Sequence, residues 1–289
     1  MAYMNVLIIC FSQTGNTKKI AEKICSGITE KGHRCKIADI KVADLTRSAD
    51  YDLIGIGTPV FYYREPVNIK NLIISMEKGE GKHCFIFCTH GSIIGNTFYY
   101  MKDELTRRGY EVIGAFDTYA ESSLQFYPEV MHTAKHPDEE EIIKAEKFGM
   151  KICDISKKIK NGESSLIPEF KIIDDTWWFK DSEMLKQENL RQLFPKFIIN
   201  PDKCTMCMLC QDNCPADAVN MEAEPPEFQK PGCIFCLFCQ KICPEGAIET
   251  DWSIVSEFTR PNLKKYVNEL KEAEKQGKFT PYVDYEKII

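Results

Sequence analysis

The chain has 289 residues, a formal charge of −6, 44% apolar and 28% charged side chains. Those proportions are ordinary for a globular protein and exclude wholesale disorder or a collagen-like fibre. No apolar run reaches the roughly 18–20 residues needed to cross a bilayer. The start, MAYMNVLIICFS, lacks a cationic n-region and an A-x-A site, so no secretory signal is expected and a cytoplasmic location is.

In chain order, Asn5–Phe11 (NVLIICF) is a β-branched apolar run, the pattern of a strand buried on both faces of a parallel sheet. Ser12–Thr17 (SQTGNT) is loop chemistry. Thr17–Lys31 then has helical period, with Ile20, Ala21, Ile24 and Ile28 on one face. Further strands are expected at Arg34–Ala38, Asp52–Thr58, His83–Cys88 and Glu111–Phe116, and helices at Tyr99–Arg108 and Pro137–Lys160. Strands alternating with helices predict an α/β doubly wound sheet over residues 1–160. Residues 161–199 read as an irregular, aromatic-containing linker, with Trp177, Trp178, Phe179 and Phe194 expected to pack between two domains. Residues 251–289 form a tail with one helix, Pro261–Gln276.

Charge and cysteine both concentrate in residues 200–250. That segment has 3 basic and 8 acidic side chains, whereas residues 1–160 carry 22 and 21. Nonspecific nucleic-acid binding needs a basic face and is excluded. Eight of the fourteen cysteines fall between positions 204 and 243. Cys204–Val219 (CTMCMLCQDNCPADAV) and Cys233–Ile248 (CIFCLFCQKICPEGAI) repeat at an offset of 29, each as C-x₂-C-x₂-C-x₃-C-P. A disulfide scaffold does not suit a chain without a secretory signal, and structural zinc prefers paired C-x₂₋₄-C ligands over triplets. Three cysteines two residues apart wrap one cubane, and a fourth before Pro serves the other cluster.

This segment resembles the bacterial two-cluster [4Fe–4S] ferredoxins. The resemblance implies that Cys204, Cys207, Cys210 and Cys243 bind one cluster, and Cys233, Cys236, Cys239 and Cys214 the other. The apolar residues between them, among them Met206, Leu209, Ile234 and Phe235, are expected to shield the clusters.

Ser12, Gln13, Thr14, Gly15, Asn16 and Thr17 lie between a buried strand and a helix N-terminus, where unpaired N–H groups favour an anion. No Lys follows as in a nucleoside triphosphate loop. The run resembles the flavodoxin phosphate loop, which implies FMN. By the same resemblance, Thr58, Pro59, Val60, Phe61 and Tyr62 flank one side of the isoalloxazine ring, and Thr89, His90 and Gly91 the other. Flavodoxins often stack an aromatic there, and this chain offers His90.

The chain thus looks like a flavodoxin–ferredoxin fusion of the kind found in anaerobic bacteria and archaea. The implied function is electron transfer between FMN and two [4Fe–4S] clusters, coupling one-electron carriers to a two-electron partner. Redox partner proteins are expected to dock on the acidic ferredoxin segment. A flavin-dependent reductase of a small organic substrate is the alternative. No Rossmann G-x-G-x-x-G is present, so a built-in NAD site is not expected.

Overall fold

The computed structural model describes residues 3–43, 45–122, 133, 135–253, 255 and 268–277. These residues divide into two compact units, one of residues up to Glu121 and Lys135–Glu183, the other of Ser122, Thr133 and the described residues from Met184 onward.

The first unit runs β1 (Asn5–Cys10), α1 (Asn16–Glu30), β2 (Arg34–Asp39), β3 (Leu53–Pro59), α2 (Val67–Ser75), β4 (His83–His90), α3 (Thr97–Arg107), β5 (Glu111–Tyr119), α4 (Glu139–Lys160) and α5 (Trp177–Met184). All five strands are parallel, in the order β2-β1-β3-β4-β5. The expected doubly wound α/β sheet is therefore present. One face of the sheet, with Val6, Ile8, Leu53, Phe85 and Phe87, packs against Ile20, Ile24 and Ile28 of α1 and Ile152 of α4. The alternate residues Leu7, Ile9, Ile54, Ile56, Ile86 and Cys88 are also buried, so the opposite face is covered too. The strands consequently read as unbroken apolar runs. Helices α1 and α4 approach backbone to backbone. A Cβ on Gly149 would strike the Ile24 carbonyl, and one on Gly27 the Glu146 carbonyl.

Helix α4 starts with a full capping box. The Asp138 carboxylate accepts from Glu141 N, and the Glu141 carboxylate accepts from Asp138 N. Helix α2 was not expected from the sequence. Its N-cap is Pro66, without a side-chain cap.

The stretch read as irregular, 166–199, contains α5 and the second unit's α6 (Gln187–Leu193). Thr176 Oγ1 accepts from Phe179 N at the start of α5, a capping signal visible in the sequence. Trp177 and Trp178 both pack against residues of the first unit. Trp178 is 2% exposed, and Trp177 sets its edge on Tyr63 with centroids 5.4 Å apart. Asn96 anchors the segment through two hydrogen bonds to the Ile173 backbone.

The second unit adds β6 (Ile198–Ile199), α7 (Leu209–Asp212), α8 (Phe238–Ile242) and β7 (Ile248–Glu249), with β6 and β7 antiparallel. Residues 268–275 are helical, with Leu270 and Ala273 buried. The rest of the expected tail helix, 261–267, lies outside the described residues.

Candidate cofactor sites

In the first unit, three loops follow the carboxyl ends of β1, β3 and β4. The strand order reverses at β1, and such a switch point opens a crevice for ligands. Gly15 takes φ +94° at the N-cap of α1, and a Cβ there would meet nothing within 4 Å. No side chain caps the helix at Gly15. Ser12 Oγ accepts from Lys18 N at 3.1 Å, and Asn16 Nδ2 donates to Glu121 O at 3.4 Å. Thr17 is buried and shares a 2.8 Å hydrogen bond with Thr89, tying the first loop to the end of β4. Gln13 is half-buried and Thr14 exposed. The result is an open, hydroxyl-rich cradle on a helix N-terminus, which suits a phosphate without a cationic side chain.

The loop after β3 is a tight turn. Phe61 and Arg64 exchange both backbone hydrogen bonds, with Tyr62 at φ 54° and Tyr63 at φ 65°. Two tyrosines in the left-handed region carry strain of order 1–3 kcal/mol each, typical of loops whose shape serves a site. Pro59, Val60, Phe61 and Tyr62 are all half-buried, and Val60 N donates to Thr89 O, joining this loop to the β4 end. Phe61 meets Phe11 edge-on, with centroids 6.1 Å apart.

His90 is 5% exposed. Its Nε2 lies 3.2 Å from the Asp117 carboxylate, and its ring packs against Tyr119 at 4.9 Å. Its Nδ1 is buried without a partner among the described residues, as is Thr118 Oγ1. Buried polar atoms seldom stay unpaired, and these two fit hydrogen bonding to a polar ligand. Gly91 is half-buried beside them. Asp117, Thr118 and Tyr119 escaped the sequence reading. Their signal is a polar turn of composition, DTY, ending the otherwise apolar β5.

In the second unit the repeat is visible in the backbone. Met206 and Phe235, Met208 and Leu237, and Asp217 and Gly246 are pairs 29 apart, all at positive φ. Cys204 Sγ accepts from Met206 N and Cys233 Sγ from Phe235 N, each at 3.4 Å. Cys214 Sγ accepts from Ala218 N at 3.2 Å and Cys243 Sγ from Ala247 N at 3.3 Å. Such N–H···S bonds tune cluster potentials.

The thiols gather in two crossed sets. One cavity is lined by Cys204, Cys207, Cys210 and, from the other repeat, Cys243. Burial pushes the Cys210 thiol up, and Cys243 and Cys207 beside it add to the rise. Burial also pushes up Cys233, Cys236 (to about 12) and Cys239, and Cys214 adds to all three. All eight thiols are free of disulfides. Thiols crowded so that neighbouring cysteines add to the rise at Cys210, Cys233, Cys236 and Cys239 are a donor set that a cationic iron–sulfur core relieves.

Cys10, Cys84, Cys88 and Cys153, on the strands and α4 of the first unit, play no such part. Burial pushes Cys10 and Cys153 up to about 12 and raises Cys84 and Cys88, the mark of inert core thiols.

Residues 7–118 match the family model described as the flavodoxin domain, and residues 196–244 that of the 4Fe–4S dicluster domain. These matches imply FMN in the first unit, iron–sulfur in the second, and a role in electron transfer. No curated protein matches the chain. Among solved structures, a flavodoxin from the domain Archaea is 20% identical, over 54% of this chain and 99% of its own, with a TM-score of 0.42. Flavodoxin 1 from Bacillus cereus is 18% identical over 53% of this chain and 97% of its own, with a TM-score of 0.39. The rubredoxin oxygen:oxidoreductase of Desulfovibrio gigas is 16% identical over 53% of this chain and 36% of its own, with a TM-score of 0.42. Among the described residues, no helix is long and apolar enough to cross a membrane.

Proposed function

We propose that this chain, a fusion of a flavodoxin domain with a 4Fe–4S dicluster domain, passes electrons between FMN and two [4Fe–4S] clusters. FMN supplies one- and two-electron chemistry and each cluster one-electron chemistry, so one protein links one-electron carriers to a two-electron partner. Ser12–Thr17 would cradle the FMN phosphate, and Pro59–Tyr62 and Thr89–Gly91 would flank the ring. Cys204, Cys207, Cys210 and Cys243 would hold one cluster, and Cys233, Cys236, Cys239 and Cys214 the other. The chain's own part is to fix these groups, exclude water and tune potential through backbone donors.

The observation that carries the reading is the crossed cavity, in which Cys243 joins Cys204, Cys207 and Cys210 from across the repeat. The test is anaerobic purification with flavin and iron counts, followed by Cys→Ser variants. Cys243→Ser should remove the same EPR signal as Cys204→Ser. Removal of the signal lost in Cys233→Ser would contradict the assignment.

The partners are redox proteins that dock basic patches on the second unit. Asp202, Asp212, Asp217 and Glu245 are exposed there, as is Cys207. Association with a cationic one-electron carrier should slow as salt rises, because steering is screened over about 10 Å at 0.1 M. A salt-independent rate would refute that docking mode.

A further inference from the structure

The two cysteine loops share a repeat but not an environment. Met206 is 53% exposed, while Phe235, its counterpart, is 1% exposed; Ile234 and Leu237 are buried likewise. The cover over the second loop comes from α6 and the residue after it. Gln187 Nε2 donates to Cys233 O, and Phe194 packs on Phe235 at 5.4 Å. Between them, one helical face on, stands Arg191. Its two terminal nitrogens donate to Gln229 O at 2.7 Å and Lys230 O at 2.9 Å. Lys230 O also accepts from Cys233 N at 2.8 Å, so the guanidinium is one carbonyl removed from a cluster cysteine. Its carbon lies 5.9 Å from the Phe235 ring centroid. Among the described residues, the first loop has no such fixed charge at the equivalent place. There Asn200 accepts from Cys204 N, and the nearby Lys203 is neutralised by Glu249 at 2.7 Å.

Burial alone works against the covered cluster. Reduction adds a negative charge, and desolvation disfavours it. We propose that Arg191 is a positioning and tuning residue, whose fixed positive charge offsets that burial and keeps the Cys233-loop cluster reducible by the exposed Cys204-loop cluster. A guanidinium suits the task because it stays protonated at every working pH and its planar fork is held by two carbonyls. The step it serves is the movement of one electron from one cluster to the other, with no bond made or broken. This inference rests on the two-cluster reading above.

The test is an EPR-monitored potentiometric titration of the full, anaerobically prepared chain, with iron counted in every sample. Arg191→Gln should lower the midpoint potential of one cluster and leave the other unmoved. Arg191→Lys should restore it towards the wild-type value. Met206→Glu, on the exposed loop, should lower the other midpoint and so assign the signals. The proposal is overturned if Arg191→Gln keeps its iron with both midpoints unmoved, or moves the same signal as Met206→Glu. Loss of iron from Arg191→Gln overturns it too, since the side chain would then be structural. Wild-type protein with iron for a single cluster contradicts the two-cluster reading instead, before any variant is made.

Discussion

The two units are held together differently. The first buries Ile8, Ile20, Ile24, Phe85 and Phe87 to zero exposure between a five-stranded sheet and its helices. The second has two-residue strands, helices of four and five residues around its cysteines, and a core cluster of Phe197, Cys210, Val219, Met221, Leu237 and Ile248. A core that small does not offset chain entropy unaided, and domains of that size lean on metal or disulfides. The eight cysteines form no disulfide, and the 4Fe–4S dicluster family match implies iron–sulfur as the staple. On the proposed reading, the first unit should fold without its cofactor and then bind it, whereas the second should fold only with iron–sulfur bound.

The largest effect that sharpens this contrast is iron removal. Chelation under reducing, denaturant-free conditions should abolish amide protection across residues 196–249 and leave that of β1, β3 and β4 intact. Hydrogen exchange read by mass spectrometry checks this; retained protection in the second unit would break the comparison. Next, Trp178→Ala should destabilise the first unit by about 3–5 kcal/mol, the cost of removing a fully buried ring. Urea unfolding followed by flavin release measures it, with the cluster spectrum unchanged at low urea. Third, Gly15→Asp should weaken FMN binding by about 100-fold, roughly 2.7 kcal/mol, by placing a carboxylate in the phosphate cradle. The apoprotein should keep its fold at a small cost in stability, because a side chain there has open space but strains the backbone at φ +94°. Equilibrium dialysis with FMN decides it.

The smallest concerns Glu65, which is 7% exposed with one carboxylate oxygen unpartnered. Burial pushes its carboxyl up to about 7 against the attraction of Arg64 and Lys70, and Glu104 adds to the rise. The folded-state value exceeds the unfolded one, so the neutral form favours the fold. Stability is therefore lost as pH rises from about 4.5 through about 7. Glu65→Gln should stabilise the first unit on the order of 2 kcal/mol at pH 8 and by little at pH 4.5. Equal gains at both pH values would show that desolvation of the carboxylate is not the cause.

The contrast also governs what the sequence could reveal. Asn5–Cys10 and His83–His90 are buried on both faces, so their composition alone marks them as parallel strands. The cysteine spacing is dictated by cluster geometry, so the repeat was legible without any periodicity. The helix α2 was not, because an apolar NLII core has the same composition in a buried strand. Nor was the role of 166–199, since two tryptophans side by side do not say which surface they will cover. His90 was legible as a candidate position but not in its setting, because its Asp117 and Tyr119 partners come from the neighbouring strand. The cover on the second cysteine loop depends on α6, some 40 residues upstream by chain order, and no local pattern announces it.

On the proposed function, one chain moves electrons between its flavin and its clusters. Rapid reduction of the clusters, with flavin absorbance followed anaerobically at several protein concentrations, tests it most directly. A single first-order flavin reduction is expected, at a rate independent of protein concentration. A rate proportional to concentration, or a flavin that stays oxidised while the clusters are reduced, would contradict it.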